Sequence, residues 1–166
     1  MTAEKKKGSK PPVFSLRRMR SSDLEDCVPL LQSPFSGDPA ARKKLLAFWR
    51  HLVESEASAS GVIEDMAQPR GKKLVGFGVS FFATIPFAQE TKTAPPFLPL
   101  RAVEQWRQGA RPFLTREEIA KANSGEGLIC VPVNFGMDLG RYGPEDMLKL
   151  QEAVLQMFFK VHAGYR

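Results

Sequence analysis

The sequence predicts an α/β (α+β) domain: a central mixed sheet, largely antiparallel, flanked by helices, with a helical insertion between the third and fourth strands. Three observations carry this reading. Val13 to Met19 alternates apolar and polar side chains, as a half-buried strand does. Gly61 to Met66 and Lys73 to Thr84 are apolar runs joined by Gln68-Pro-Arg-Gly71, which has turn chemistry, so they read as a hairpin. Gly127 to Phe135 is an apolar strand, Gly136 to Gly143 a glycine-bearing turn, and Pro144 opens one long amphipathic helix.

Each element has its own local reason. Ser22-Asp-Leu-Glu25 reads as a capping box, with Leu24, Cys27, Val28 and Leu31 following at helical spacing; Pro29 keeps that helix short or kinks it. Asp38-Pro39 is an N-cap with proline at the first helical position, and Leu45, Phe48, Trp49, Leu52 and Val53 form an apolar face running to about Glu56. In the longer hairpin strand Val75, Phe77, Val79 and Phe81 share one face. Gly76 and Gly78 lie on the other, where a bulky helix residue is expected to fill the space.

From Pro86 to Glu126 the pattern breaks up. Pro95-Pro-Phe-Leu-Pro99 reads as an extended connector, and Leu100 to Gln108 and Thr115 to Asn123 as short helices, the second opened by the capping box Thr115-Arg-Glu-Glu118. A segment of this length with its own helices is more than a loop, so residues 86–125 are read as an insertion that shapes a surface. The last helix carries Met147, Leu150, Val154, Met157, Phe158 and Val161 on one stripe. Leu148, Leu155 and Phe159 widen it, so this helix expects cover from two sides.

Composition bounds the function. A chain of 166 residues with 43% apolar content can bury one core. It has no run of 18 apolar residues to span a membrane and no apolar secretory leader, which gives a cytoplasmic expectation. The net charge is +6, yet the first 20 residues hold seven basic side chains against Glu4 alone. The remaining 146 are balanced at 17 and 17. Residues 1–12 therefore read as a disordered basic tail and 13–166 as the folded domain, and the neutral body argues against nucleic acid as its partner. Cys27 and Cys130 lack paired spacing or a histidine cluster, so they read as reduced, buried packing residues and no metal is expected.

The strand–turn–helix unit is the part with chemistry. Backbone N–H groups and a positive helix end converge there, the simplest protein device for holding a phosphate. Other candidates read as structural. Glu64 and Asp65 are adjacent on a strand and point to opposite faces, so they form no acid/base pair and are taken as solvated carboxylates. His51 and His162 lie on separate helices with no cysteine or serine motif nearby, and nucleophilic catalysis has no visible parts. Asp138 is expected to cap the turn, and Trp49 and Trp106 to pack. No catalytic residue is assigned.

The element order resembles the N-terminal two-thirds of the GCN5-related N-acetyltransferase fold, over residues 13–85 and 126–164. Phe14-Ser-Leu-Arg-Arg-Met-Arg-Ser-Ser-Asp-Leu-Glu-Asp resembles that family's first strand and helix start. Gly61-Val-Ile-Glu-Asp with Lys73-Leu-Val-Gly-Phe-Gly-Val resembles its central hairpin. The resemblance implies acetyl-coenzyme A as cofactor. Its pantetheine arm would lie along Val133, Phe135 and Met137, and its pyrophosphate on Gly140, Arg141, Tyr142 and Gly143, with Arg141 adding a charge-assisted bond.

The sequence also departs from the family's pattern. The Gln/Arg-x-x-Gly-x-Gly/Ala signature is absent, since Arg141 begins Arg-Tyr-Gly-Pro-Glu-Asp, and Pro132 removes a strand donor. The tyrosine that often protonates the leaving thiolate would lie beyond Arg166. The implied function is acetyl transfer to a small-molecule or peptide amine. The alternatives are a catalytically inactive ligand-sensing or interaction module, for instance one part of a longer transcriptional regulator, and a purely structural turn. An uncompleted sheet edge would be covered by a second copy, making a homodimer.

Overall fold

β1 (Phe14–Arg18), β2 (Gly61–Asp65), β3 (Leu74–Phe82) and β4 (Cys130–Met137) lie side by side in that order, every pairing antiparallel. They come from a computed structural model that describes residues 11–31, 38–91, 98–125 and 127–165. Residues 1–10 of the 1–12 tail and 95–97 of the expected extended connector fall outside those residues, while Leu98 and Pro99 of that connector are helical. The sheet expected to be mixed is thus antiparallel throughout among the described residues, because β4 returns against β3 after the helical insertion.

Helices cover both faces. On one side, α2 (Pro39–Glu54) begins at Asp38, whose carboxylate accepts the Ala40 N–H at 2.8 Å, and buries Leu45, Phe48, Trp49 and Leu52. These pack with Phe77, Val79 and Phe81 of β3 and with Val131 and Val133 of β4. The insertion adds α4 (Leu98–Arg107) and α5 (Arg116–Asn123), close to the two expected helices, and before them α3 (Ile85–Thr91), which the sequence reading missed; Phe87, Ala102 and Val103 join the same cluster. Thr115 caps α5 through the expected reciprocal pair, its Oγ1 accepting Glu118 N–H at 3.3 Å while Glu118 accepts Thr115 N–H at 2.8 Å.

On the other side, α6 (Pro144–His162) lies across β1, β2 and β3. Gly61 and Gly78 let it approach. A Cβ on either would stand 2.8 Å from Met157, the bulky helix residue expected above Gly78; Gly76, expected to be covered in the same way, instead meets Ile63 of β2. Val75 departs from the expected face. It is the extra residue of a bulge opposite Ile63 and Glu64, which turns it toward α6. Leu148, Leu155 and Phe159 stay exposed on the far side of α6, Phe159 at 78%. Among the described residues no helix is long and apolar enough to cross a membrane.

The first helical segment differs from its sequence reading. α1 (Leu24–Cys27) is a single turn between 3₁₀ turns at Ser21–Asp23 and Val28–Leu30. Ser22 does not cap it. Asp23 accepts the Arg20 N–H at 2.7 Å and grips both terminal nitrogens of Arg17 at 2.7 and 2.9 Å. Arg17 also reaches Glu64 at 3.0 Å, so Glu64 is paired rather than freely solvated. Burial pushes the Asp23 carboxyl up, but Arg17 and the Arg20 N–H more than reverse it and hold it below the ordinary carboxylate range.

Candidate functional site

The two ends of β4 hold different machinery. At its C-terminal end lie the residues expected to grip a cofactor, some engaged with the protein itself and some exposed. Val133 points into the core beneath α2, Phe135 is exposed, and Met137 is half-buried. Leu31 bridges to Gly136, and a Cβ at position 136 would overlap the Leu30 carbonyl oxygen and stand 2.5 Å from the Phe77 ring. The segment after α1 therefore lies on the β4 edge along which a pantetheine arm was expected.

The turn is likewise tied down. Arg141 donates to Asp138 at 2.8 Å and to the Lys72 carbonyl at 2.7 Å, so Asp138 serves as an ion-pair partner instead of a cap. The Tyr142 hydroxyl donates to Asp65 at 2.9 Å, and its ring meets Phe14 edge-on. Burial and then the Asp65 acceptor push that phenol well above its ordinary value. Gly140 and Gly143 are exposed, and the first turn of α6 carries Glu145 and Asp146, carboxylates that already answer the helix dipole. Met137 and Arg141 line an open cleft of about 560 Å³ together with Asp26, Leu30, Lys72 and Leu74.

Asp65 corrects the solvated-carboxylate expectation. It is fully buried and accepts four bonds: from Val13 N–H (3.1 Å), Ala67 N–H (3.0 Å), Gln68 Nε2 (3.0 Å) and Tyr142. Burial alone would raise its carboxyl, and these donors hold it below the ordinary range. Its role is to pin the start of β1, the hairpin turn and the β4–α6 turn to one point. His51 is exposed on α2, its ring 5.4 Å from those of Trp106 and Phe113, a surface histidine resting on aromatic neighbours, in line with a boundary position.

At the N-terminal end of β4 the fold assembles a constellation that sequence spacing did not reveal. His162 closes the last turn of α6, and its Nε2 lies 3.0 Å from Ser80 Oγ and 3.2 Å from Cys130 Sγ. Its Nδ1 is 2.7 Å from the carbonyl of Phe158, one turn earlier. The Phe158 ring stacks on the imidazole at 7° between planes, and Phe82 meets it edge-on.

These partners fix the tautomer. A carbonyl only accepts, so Nδ1 carries a proton and the neutral ring presents a lone pair at Nε2. Ser80 is fully buried and donates its hydroxyl proton to the Ala59 carbonyl at 2.6 Å. Of the two groups facing Nε2, only the Cys130 thiol then has a proton to give it. Cys130 is exposed, which corrects the expectation of a buried packing cysteine. The atoms around its sulfur still push the thiol up, with the Ser80 hydroxyl acting against that. In this tautomer the thiol is the donor and Nε2 the acceptor.

The nucleophile–base–orienter logic that seemed to have no visible parts is present. It was illegible because Ser80, Cys130 and His162 sit on β3, β4 and α6, separated by 82 and 32 positions from the histidine they face. The one usable signal was parity. In β3, Ser80 falls on the same face as Gly78, the glycine α6 lies against.

Neither a family model nor a curated protein matches the chain. Among solved structures it is similar to the C-terminal condensation domain of Ebony in complex with beta-alanyl-dopamine. The TM-score is 0.51 at 13% identity, covering 90% of this chain and 70% of that one. Likeness at this identity is a likeness of fold. It corrects the expected resemblance: the similar structure is a condensation domain, not a GCN5-related N-acetyltransferase. Acetyl transfer from acetyl-coenzyme A to an amine, and the inactive module of the same family, lose their support with it.

Proposed function

We propose that this chain is an acyl-transfer domain of the condensation type, in which His162 is the proton acceptor. The observation that carries the reading is one imidazole, fixed by the Phe158 carbonyl and ring, whose Nε2 lone pair faces an exposed thiol. An acyl-transfer step needs such a base. The attacking N–H or S–H must lose its proton as the carbonyl carbon is attacked, and the leaving group must regain one. Nothing in this reading uses the β4–α6 turn.

The fold supports the class of chemistry without fixing the substrate. The similar condensation domain holds a compound whose name joins a β-alanyl group to dopamine, an acyl group on an amine. The substrates proposed here belong to the same class: an activated acyl donor, as thioester or ester, and a primary amine. Ile129, next to Cys130, is an exposed apolar side chain on which an acyl chain or aryl ring could rest.

The test is amide formation. The purified chain is incubated with acyl thioesters of several lengths and with primary arylalkylamines, and amides are read by mass spectrometry against His162→Ala. General-base contributions run about 10²–10⁴-fold, so the variant should lose at least about a hundredfold of the rate. Equal rates from both proteins would remove His162 from the reaction, and no amide from any pair would remove the function.

A further inference from the structure

We propose that Cys130 is a catalytic nucleophile that carries the acyl group as a thioester, so that the transfer runs in two half-reactions through the protein. This rests on the acyl-transfer reading and adds the covalent route to it. The geometry is that of a hydrogen-bonded nucleophile and base with the base oriented by a third group: Cys130 Sγ, His162 Nε2, and the Phe158 carbonyl on Nδ1. Cys130 is the exposed member of the cluster, so a donor can reach its sulfur, whereas Ser80 is fully buried with its proton committed to Ala59.

Ser80 has a part that a packing role does not explain. Its Oγ lies 3.0 Å from Nε2, within hydrogen-bond reach, with its proton turned to the Ala59 carbonyl at 2.6 Å. Once Nε2 has taken the thiol proton, the new Nε2–H points at an oxygen already in place to accept it. The bond exists only after proton transfer, so it favours the charged ring over the resting one. An interaction stronger in the reacting state than in the ground state is the kind that raises a rate.

The steps balance. The Cys130 S–H proton passes to Nε2 while the sulfur lone pair forms the bond to the donor's carbonyl carbon. The tetrahedral intermediate breaks its bond to the donor's alkoxide or thiolate, which leaves with the proton from Nε2–H. The primary amine then attacks the Cys130 thioester and gives a proton to Nε2. The C–S bond breaks, and the sulfur recovers that proton. An activated ester or thioester and an amine become an amide and an alcohol or thiol, and the protein is restored.

The experiment uses p-nitrophenyl butyrate with the full chain. Release of p-nitrophenol is followed by absorbance, the butyryl adduct by intact mass and peptide mapping, and its thioester nature by release with neutral hydroxylamine. The expected result is one butyryl group per chain on Cys130 and none on Cys27. A burst of p-nitrophenol should be lost in Cys130→Ala and slowed about a hundredfold or more in His162→Gln. Addition of a primary amine should then discharge the adduct as the butyramide.

Labelling spread over lysines, with Cys130 bare, overturns the proposal. So does amide formation by Cys130→Ala at the unsubstituted rate, which would leave acyl transfer standing as a direct reaction. A Cys130 adduct that no amine discharges, with no amide formed, would instead sink the acyl-transfer reading and keep the nucleophile. Because Cys130 is exposed, Cys130→Ala should fold normally, and matching thermal midpoints check this.

Discussion

Replacing Asp65 with asparagine tests how this fold holds its elements together. One carboxylate oxygen accepts Val13 N–H and Ala67 N–H, and the other accepts Gln68 Nε2 and the Tyr142 hydroxyl. Asparagine keeps an acceptor for the first pair and places an NH₂ donor opposite the second pair. A bond to a charged acceptor contributes about 1.5–3 kcal/mol and a neutral one about 1 kcal/mol. Two bonds lose their charge assistance and two must rearrange donor against donor, so Asp65→Asn should cost about 3 kcal/mol at pH 7. Tyr142→Phe, which removes one donor, should cost about half that.

Urea unfolding followed by tryptophan fluorescence measures both, with Trp49 buried in the core as reporter. The pH dependence has a definite sign. The Asp65 carboxyl is held below its unfolded value, so its contribution is complete above about pH 4, the unfolded value, and is lost as the pH falls through the folded one. Protonated Asp65 presents a donor much as asparagine does, so the gap between the two proteins should narrow in acid. A difference under about 1 kcal/mol at neutral pH, or a gap that does not change on acidification, refutes the reasoning.

Three further outcomes follow from the same structure. Gly136→Ala should cost about 2–3 kcal/mol or prevent folding, because the new methyl meets the Leu30 backbone, which cannot swing aside; Gly140→Ala, with only Asp138 Oδ1 4.0 Å away, should change urea stability by under about 0.5 kcal/mol. Thr115→Ala should cost about 1 kcal/mol by undoing the reciprocal cap of α5, visible as faster amide exchange over Arg116–Asn123. Arg17→Ala strands the buried Asp23 and half-buried Glu64 and should cost about 2–3 kcal/mol at pH 7 by thermal melting. That difference should shrink in acid as Asp23 protonates, since its carboxyl is held low only by its partners.

Much of the fold was legible because the signals were local. Turn chemistry at Gln68–Gly71, the Asp38-Pro39 cap, the Thr115 box and Pro144 each act within a few residues, and each stands where its spacing put it. Gly78 was readable as a place of close approach, and Met157 fills it. Asp65 and Glu64 were misread because alternation along a strand says which face a side chain takes, not what waits there. Their partners come from Tyr142 and Arg17, 77 and 47 positions away. Arg141 and Tyr142 carry groups that could bind phosphate, but a sequence does not show that Asp138, Lys72 and Asp65 have already engaged them.

What the sequence alone determined is most of the elements and, outside the β3 bulge, their sidedness, because periodicity, caps and glycines act through the chain's nearest neighbours. Which reactive groups meet was decided only by the tertiary structure. The return of β4 against β3, with a register shift beside Ser80, and the close approach of α6 over Gly61 and Gly78 bring His162 to Ser80 and Cys130. A hydrogen bond requires about 3 Å between atoms, and no pattern of residue spacing constrains three side chains on three separate elements to that tolerance.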